Sequence, residues 1–311
     1  MSTTQNINVI CNSNLAIPAL HELIRLGRLQ SVAMSQQADE SRQYIESMAG
    51  HYGIPFLVFS KENLKEQMEQ WLKSYPCVAV FCLTFPYKIP EATLAVPPLG
   101  FINFHFALLP NYRGASPVFW QIKNREPFGG ITVHQMDAGW DTGAILATHR
   151  VPIGDHETHG MHWSKIALEG RGAVAGLLSK MDSGMPMQGQ VQTGGAYYQK
   201  PTYNDVKLDW AKNSSVELLA TIKACNPWNK GAFTFVNGRE VRIVEATVAD
   251  SFYGMPCGAP GTVRLAPDGK TFAISCNDST YIKPEIIYCD EGFITPETFI
   301  RMGVSSNSIF H

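Results

Sequence analysis

No stretch of this 311-residue sequence approaches the roughly 20 consecutive apolar residues that a membrane-crossing helix needs, which excludes a helical membrane protein. The start, MSTTQNINVI, has no basic segment leading into an apolar one, the pattern of a secretory leader, so the chain is expected in the cytoplasm. Charge is in short supply: 25 Lys and Arg against 27 Asp and Glu leave a net charge of −2. That balance supplies no global field for a polyanion or an anionic bilayer, and any phosphate recognition has to be local. The seven cysteines (Cys11, Cys77, Cys82, Cys225, Cys257, Cys276, Cys289) are odd in number and contain no C-x-x-C pair. Neither a disulfide framework nor a zinc ribbon is therefore expected, and the thiols are expected reduced and mostly in the core. No G-x-G-x-x-G follows the first apolar run, which argues against a dinucleotide site. The histidine cluster His156-Glu157-Thr158-His159-Gly160-Met161-His162 contains H-E-x-H and not H-E-x-x-H, and Thr158 is a good N-cap that puts His156 ahead of the helix. It is expected to be a polar helix start, with no metal site. Internal repeats and low-complexity tracts are also missing.

What is present is enough apolar sequence, 45% of the residues, to bury roughly three quarters of the unfolded surface at this length. The first half alternates short β-branched runs with helical patterns. INVIC (7–11) predicts a strand, and the next segment places Ile17, Leu20 and Ile24 on one helical stripe with Leu23 beside it. Strands are predicted at 30–35, 55–59 and 77–83, and helices at 39–50, 61–74 and about 158–181. CVAVFCL (77–83) is apolar throughout, as expected of a strand covered on both faces in a parallel sheet. GFINFHF, GGITVHQM and AILATHRV add three strands, of which GFINFHF ends the parallel run. The fold expected is α/β, with a Rossmann-like parallel-sheet domain over 1–190. Residues 191–206 carry Gly, Pro and Gln without helical period and predict a linker. Over 207–311 one helix is followed by short strands with turn pairs at Asn237-Gly238 and Asp268-Gly269, which predicts a small OB-like β-barrel.

In GFINFHF the period of two puts Phe101, Asn103 and His105 on one strand face. An imidazole and an amide on an apolar strand need hydrogen-bond partners, and the carboxyl ends of strands in open α/β sheets are where ligands bind. Both can equally be satisfied structural residues. Downstream, ALLPNYRG is a loop punctuated by Pro and Gly, and DAGWDTG is a Gly-rich turn between two strands that carries Asp137 and Asp141. Cys82 has no electropositive neighbour and reads as core, and Trp228 as a packing residue at the domain junction.

Asn103-Phe104-His105, then Leu108-Leu109-Pro110-Asn111-Tyr112-Arg113-Gly114, then Asp137-Ala138-Gly139-Trp140-Asp141-Thr142-Gly143 resembles the N-x-H, LLP-x-x-RG, D-x-G-x-DTG pattern of the folate-dependent formyltransferases. LDWAKNSSVELLATIKACNPWNKGAFTFVNGREVRI (208–243) is similar to the start of the second domain in two members of that family: methionyl-tRNA formyltransferase and the bacterial enzyme that formylates UDP-4-amino-4-deoxyarabinose. The resemblance covers nearly the whole chain and is weakest after about residue 250. It implies a catalytic set of Asn103, His105 and Asp141, N10-formyltetrahydrofolate as formyl donor, and a primary amine as acceptor. It also implies an apolar pteridine slot between Lys88, Ile89 and Pro90 and the turn carrying Asp137, Gly139 and Trp140. Phe81, Leu83 and Phe101 are candidates for its floor, with core packing as the alternative.

The sequence departs from the family pattern in two places. After the histidine, Phe106 stands where a small residue is expected and Ala107 where a serine is expected, and the first strand is not followed by the usual Gly-containing turn. A tRNA-binding member is expected to carry a basic insertion after the second strand, yet residues 34–51 hold Asp39, Glu40 and Glu46 against Arg42 alone. From 201 onward there are ten Lys and Arg against twelve Asp and Glu, no basic face for a phosphate backbone. The expected acceptor is therefore a small-molecule amine, such as an amino sugar nucleotide. Methionyl-tRNA is the second choice, and a folate-dependent hydrolase that releases formate the third.

Overall fold

The computed structural model describes residues 6–38, 40–184 and 186–311; Asp39, counted above among the acids after the second strand, lies outside them. The chain divides into two compact units. The first comprises Met1–Pro117, Phe128–Pro152 and Trp163–Tyr198, and the second Val118–Pro127, Ile153–His162 and Gln199–His311.

Its elements are, in order, β1 (Ile7–Cys11), α1 (Ile17–Arg25), β2 (Leu29–Ser35), α2 (Ser41–His51), β3 (Phe56–Phe59), α3 (Leu64–Ser74), β4 (Ala79–Leu83), α4 (Glu91–Leu94) and β5 (Phe101–His105). There follow β6 (Arg113–Gly114), α5 (Pro117–Lys123), β7 (Phe128–Gln135), β8 (Ile145–Pro152), α6 (His159–Asp182) and β9 (Tyr197–Tyr198). The sheet of the first unit has the order β3-β2-β1-β4-β5-β7-β8. It is parallel from β3 to β5, as the sequence predicts, and antiparallel from β5 through β7 to β8. Every residue of β1 and β4 is buried, which explains why both read as unbroken apolar runs. The core on one sheet face gathers Phe59, Met68, Trp71, Val80 and Phe101. A chain of polar groups runs beside it: the Trp71 indole N–H donates to Ser31 Oγ (2.9 Å), whose own hydroxyl donates to Asn8 Oδ1 (2.8 Å). Chain order reverses between β1 and β4, so the carboxyl ends of the central strands form the crevice where such sheets bind ligands.

The chain from Gln190 into the segment expected as a linker is stitched to the loops at that end. β9 pairs in parallel with β6, Gln190 exchanges two backbone hydrogen bonds of 2.8 Å with Ile145, and the rings of Tyr112 and Tyr198 stack at 4.9 Å. Gly114 (φ +92°) is needed here, because a Cβ would run into the Tyr198 carbonyl.

The second unit continues with α7 (Tyr203–Val206), α8 (Ser215–Cys225), β10 (Ala232–Val236), β11 (Arg239–Ala249), β12 (Val263–Leu265), β13 (Phe272–Ser275), β14 (Tyr281–Cys289), β15 (Gly292–Ile294) and α9 (Pro296–Arg301). A reciprocal capping box between Ser214 and Glu217 starts α8, which buries Leu218, Ile222 and Cys225. The strands form an antiparallel sheet in the order β10-β11-β14-β13-β12, with β15 on β14. Asn237 and Gly238 have φ of 51° and 76°, the left-handed pair a two-residue hairpin needs. Both edges are then covered by residues 308–311. The Phe310 N–H donates to the Gly261 carbonyl beside β12, and the His311 N–H to the Phe235 carbonyl on β10, each at 2.9 Å. That tail joins the two edge strands and gives the OB-like barrel expected from the short, turn-punctuated strands.

Candidate active site

Asn103 and His105 share a face of β5, as the period of two requires, and their surroundings come from four separate segments. On β4, Cys82 is in register with Asn103; on β7, His134 is. The loop after β5 is pinned to β7 by Thr132, whose hydroxyl donates to the Ala107 carbonyl (2.6 Å) and accepts from the Leu109 N–H (3.0 Å). This loop then turns through Tyr112, at φ 58°, and presents its carbonyl to His105 Nε2 at 2.7 Å. A carbonyl can only accept, so Nε2 carries the proton and the basic lone pair of the neutral ring is on Nδ1. That atom lies 3.5 Å from Asp141 Oδ1. Burial pushes the His105 pKa below its ordinary value of 6.5, against the pull of the Asp141 charge and the Tyr112 carbonyl.

Asp141 sits on the Gly-rich turn between β7 and β8 in the left-handed region, φ 55°, where a non-glycine residue is strained. Asp137 organises that turn by accepting from the Gly139 N–H (2.9 Å) and the Thr142 hydroxyl (2.7 Å). The Asp141 carboxylate receives the Asn103 amide on Oδ1 at 3.1 Å and the Gly114 N–H on Oδ2 at 2.8 Å. Burial alone would raise its pKa; the positive charge that His105 carries once protonated, the neighbouring His134 and the Gly114 N–H outweigh burial and hold it down at about 2. The site therefore combines a buried ring, uncharged near neutrality and with a free basic nitrogen, with a permanently charged carboxylate.

The structure thus brings together Asn103, His105 and Asp141, and adds His134, which the sequence did not single out. His134 Nδ1–H donates to the Gln135 carbonyl at 3.0 Å, leaving Nε2 to accept from Asn103 Nδ2 at 3.1 Å. Both amide protons of Asn103 are consequently engaged, one by His134 and one by Asp141. The available signal was the polar alternation Thr132, His134 in an otherwise apolar strand that runs directly into the Asp137 turn.

A cleft of about 50 Å³ opens beside this set, lined by Lys88, Ile89, Asp137, Gly139 and Trp140, with Phe85, Tyr87 and Met136 completing its apolar wall. Pro90 instead starts α4, its carbonyl accepting from the Thr93 N–H. Phe81 lies on the opposite face of β4, buried against Phe104 at 5.2 Å, and Leu83 shares that face. Phe101 belongs to the core cluster that includes Val80, Cys82 and Ile89. Cys82 does line the cleft, but burial, with the Asp141 charge adding, pushes its thiol up to about 12, so it is no nucleophile.

Among the described residues no group of three His, Cys, Asp or Glu side chains could hold a metal ion, and no helix is long and apolar enough to cross a membrane. At the start of α6, His162 Nδ1 pairs with Glu157 Oε1 at 2.6 Å, and Thr158 Oγ1 accepts from the Met161 N–H at 3.4 Å in the manner of an N-cap. Trp228 is 45% exposed and packs edge-on against Phe119 in the second unit.

Residues 7–174 match the family profile described as "Formyl transferase", and residues 200–292 match "Formyl transferase, C-terminal domain". The methionyl-tRNA formyltransferase of Thiobacillus denitrificans is 31% identical over 258 residues, 82% of this chain and 81% of that protein. The protein of the same name from Lachnospira eligens is 29% identical over 262 residues, 84% and 80% of the two chains. Among solved structures, WlaRD, a sugar 3N-formyl transferase crystallised with dTDP and 5-N-formyl-THF, aligns with a TM-score of 0.68 at 19% identity, over 91% of this chain and 98% of its own. The N-formyltransferase from Helicobacter canadensis, in complex with folinic acid and dTDP-3-aminofucose, gives a TM-score of 0.67 at 18% identity, over 90% and 98%. At such identities the likeness to both structures is one of fold.

Proposed function

The chain belongs to the formyl transferase family, and from that premise we propose that it carries the formyl group of N10-formyltetrahydrofolate to the primary amine of a small molecule, with an amino sugar nucleotide as the acceptor class. The observation that carries the catalytic part is the convergence on one charged carboxylate, Asp141, of a neutral imidazole, with His105 Nδ1 at 3.5 Å, and a side-chain amide, with Asn103 donating at 3.1 Å.

In this reading the uncharged amine attacks the formyl carbon and the carbonyl π electrons move to oxygen, giving a tetrahedral oxyanion. His105 Nδ1 takes the proton released by the amine nitrogen, since Nε2 is committed to the Tyr112 carbonyl. The ring becomes an imidazolium beside Asp141, whose charge compensates it across 3.5 Å. Asn103 donates to the oxyanion by giving up one of its two present partners, His134 or Asp141. Collapse breaks the bond from the formyl carbon to N10, and the proton held by His105 passes to N10. The products are the formamide and tetrahydrofolate, and charge and protons balance. The cleft between Lys88, Ile89 and Trp140 is the slot assigned to the pteridine.

The small-amine part rests on charge: the lack of a basic excess in residues 201–311, ten Lys and Arg against twelve Asp and Glu, and the acidic balance of 34–51. The solved neighbours, a sugar 3N-formyl transferase and an N-formyltransferase in complex with dTDP-3-aminofucose, favour it as well. A second reading, methionyl-tRNA as acceptor, is favoured by the curated relatives, which match over four fifths of both chains. Offering initiator methionyl-tRNA and amino sugar nucleotides in parallel with the donor, at low and moderate salt, separates the two. Formylation of the sugar amine, little changed by salt, is expected. Efficient formylation of the charged tRNA that collapses with salt would replace the small-amine reading.

A further inference from the structure

Gln192 lies in the stretch after α6 that has no periodic pattern, and the catalytic set does not include it. Its carboxamide nevertheless bridges the two loops on which that set depends. The Nε2 protons go to the carbonyls of Asp141 (3.0 Å) and Gly143 (2.7 Å), while Oε1 accepts from Arg113 Nε (3.1 Å) and Nη2 (2.7 Å). Two donors and two acceptor lone pairs are thereby all used, which only Gln or Asn among the side chains can do. The residues it joins alternate with direct contacts to the site. Tyr112 binds the His105 ring through its carbonyl, Arg113 binds Gln192, and Gly114 donates its N–H to Asp141. On the other side Gln192 holds the backbone of Asp141 itself, at a strained φ of 55° that persists only where the surroundings impose it. The segment cannot drift with its side chain, because the Arg113 N–H donates to the Ala196 carbonyl and the Ala115 N–H to the Tyr198 carbonyl, both at 3.0 Å.

We propose that Gln192 is a positioning residue for formyl transfer: it clamps the Arg113 loop to the Asp141 turn and so fixes the carboxylate of Asp141 against Nδ1 of His105. The inference rests on the reading of Asn103, His105 and Asp141 as the catalytic set.

The test compares Gln192→Glu and Gln192→Leu with Val191→Ala, a neighbouring residue that is 77% exposed. Glu keeps the shape and the bond to Arg113 but turns a lone pair toward two carbonyls; Leu leaves those carbonyls without their donor. Turnover should fall by about 10- to 100-fold in both Gln192 variants, with KM for the formyl donor changed by less than about threefold, and stay normal in Val191→Ala. The second measurement is the NMR titration of the His105 ring, which needs no turnover. The titratable groups facing that ring are Asp141, which raises its pKa, and His134, which lowers it. A clamp that has let Asp141 go should therefore move the His105 titration downward. Normal turnover in both Gln192 variants, or reduced turnover with an unmoved His105 titration, would overturn the proposal; the latter would mean a merely structural role. If His105→Ala is itself active, the catalytic reading has failed, and the titration still decides whether Gln192 positions Asp141.

Discussion

Asn103 cannot be replaced without releasing two partners at once, because its amide protons serve His134 and Asp141, each at 3.1 Å. Asn103→Ala and His105→Ala are each expected to lower kcat by roughly 10²- to 10³-fold with donor binding retained, since the lost donor and base are needed mainly in the transition state. Steady-state kinetics beside equilibrium binding of a folate checks this, and near-normal turnover in both variants would remove the site assignment. Asp141→Asn separates charge from shape. The His105 pKa is held below 6.5 by burial and partly restored by Asp141, so removing that charge lowers it further. The acid limb of the pH profile should then move to lower pH while the maximal rate falls. An unmoved limb would mean that Asp141 only shapes the turn. Asp141 has a folded pKa of about 2 against an ordinary 3.8, so the stability it adds, about 2 kcal/mol, is present above pH 4 and is lost as pH falls toward 2. Denaturation of the Asn variant should be flatter across that window. At this scale the sequence shows Asn103 and His105 on one face through period two alone, and Asp141 through its resemblance to a family pattern. It does not show His134, whose place beside Asn103 depends on pairing across 31 residues.

Elements were legible where one physical signal dominates. The unbroken apolar runs of β1 and β4 specify strands buried on both faces, and Asn237-Gly238 specifies a hairpin through two left-handed dihedrals. The antiparallel pairing of β7 and β8 and the edge cover were not. Alternation states which face a side chain takes, and says nothing of the antiparallel run of β7 and β8 beside a parallel sheet. Gln192 escaped notice for a related reason: the stretch from 186 to 196 has no period because its bonds go to distant loops. The start of α6 carries a prediction of its own. Burial holds His159 down to about 4, and His162 Nδ1 is taken by Glu157 at 2.6 Å, the geometry of a paired polar helix start. Exhaustive chelation should therefore leave both activity and melting temperature unchanged. Activity restored by zinc alone after chelation would contradict this account of the cluster.

Across the whole molecule the charges nearly cancel, at 25 basic against 27 acidic residues, so recognition of an acceptor has to be made by local groups rather than by a long-range field. The acceptor is also the property least legible in the sequence. Formyl transfer needs a few residues whose types and spacing are constrained by chemistry, whereas acceptor recognition is distributed over loops whose shape no periodicity encodes. The central claim, transfer of a formyl group from folate to a small amine by the Asn103, His105 and Asp141 set, is tested most directly by following the formyl carbon itself. N10-formyltetrahydrofolate labelled with carbon-13 in the formyl group would be mixed with the protein and an amino sugar nucleotide, and the label traced by NMR and mass spectrometry. The account expects the label in a new formamide on the sugar amine, at a rate lowered roughly 10²- to 10³-fold in His105→Ala. Label appearing as free formate at the same rate with or without an amine would contradict it and identify a hydrolase.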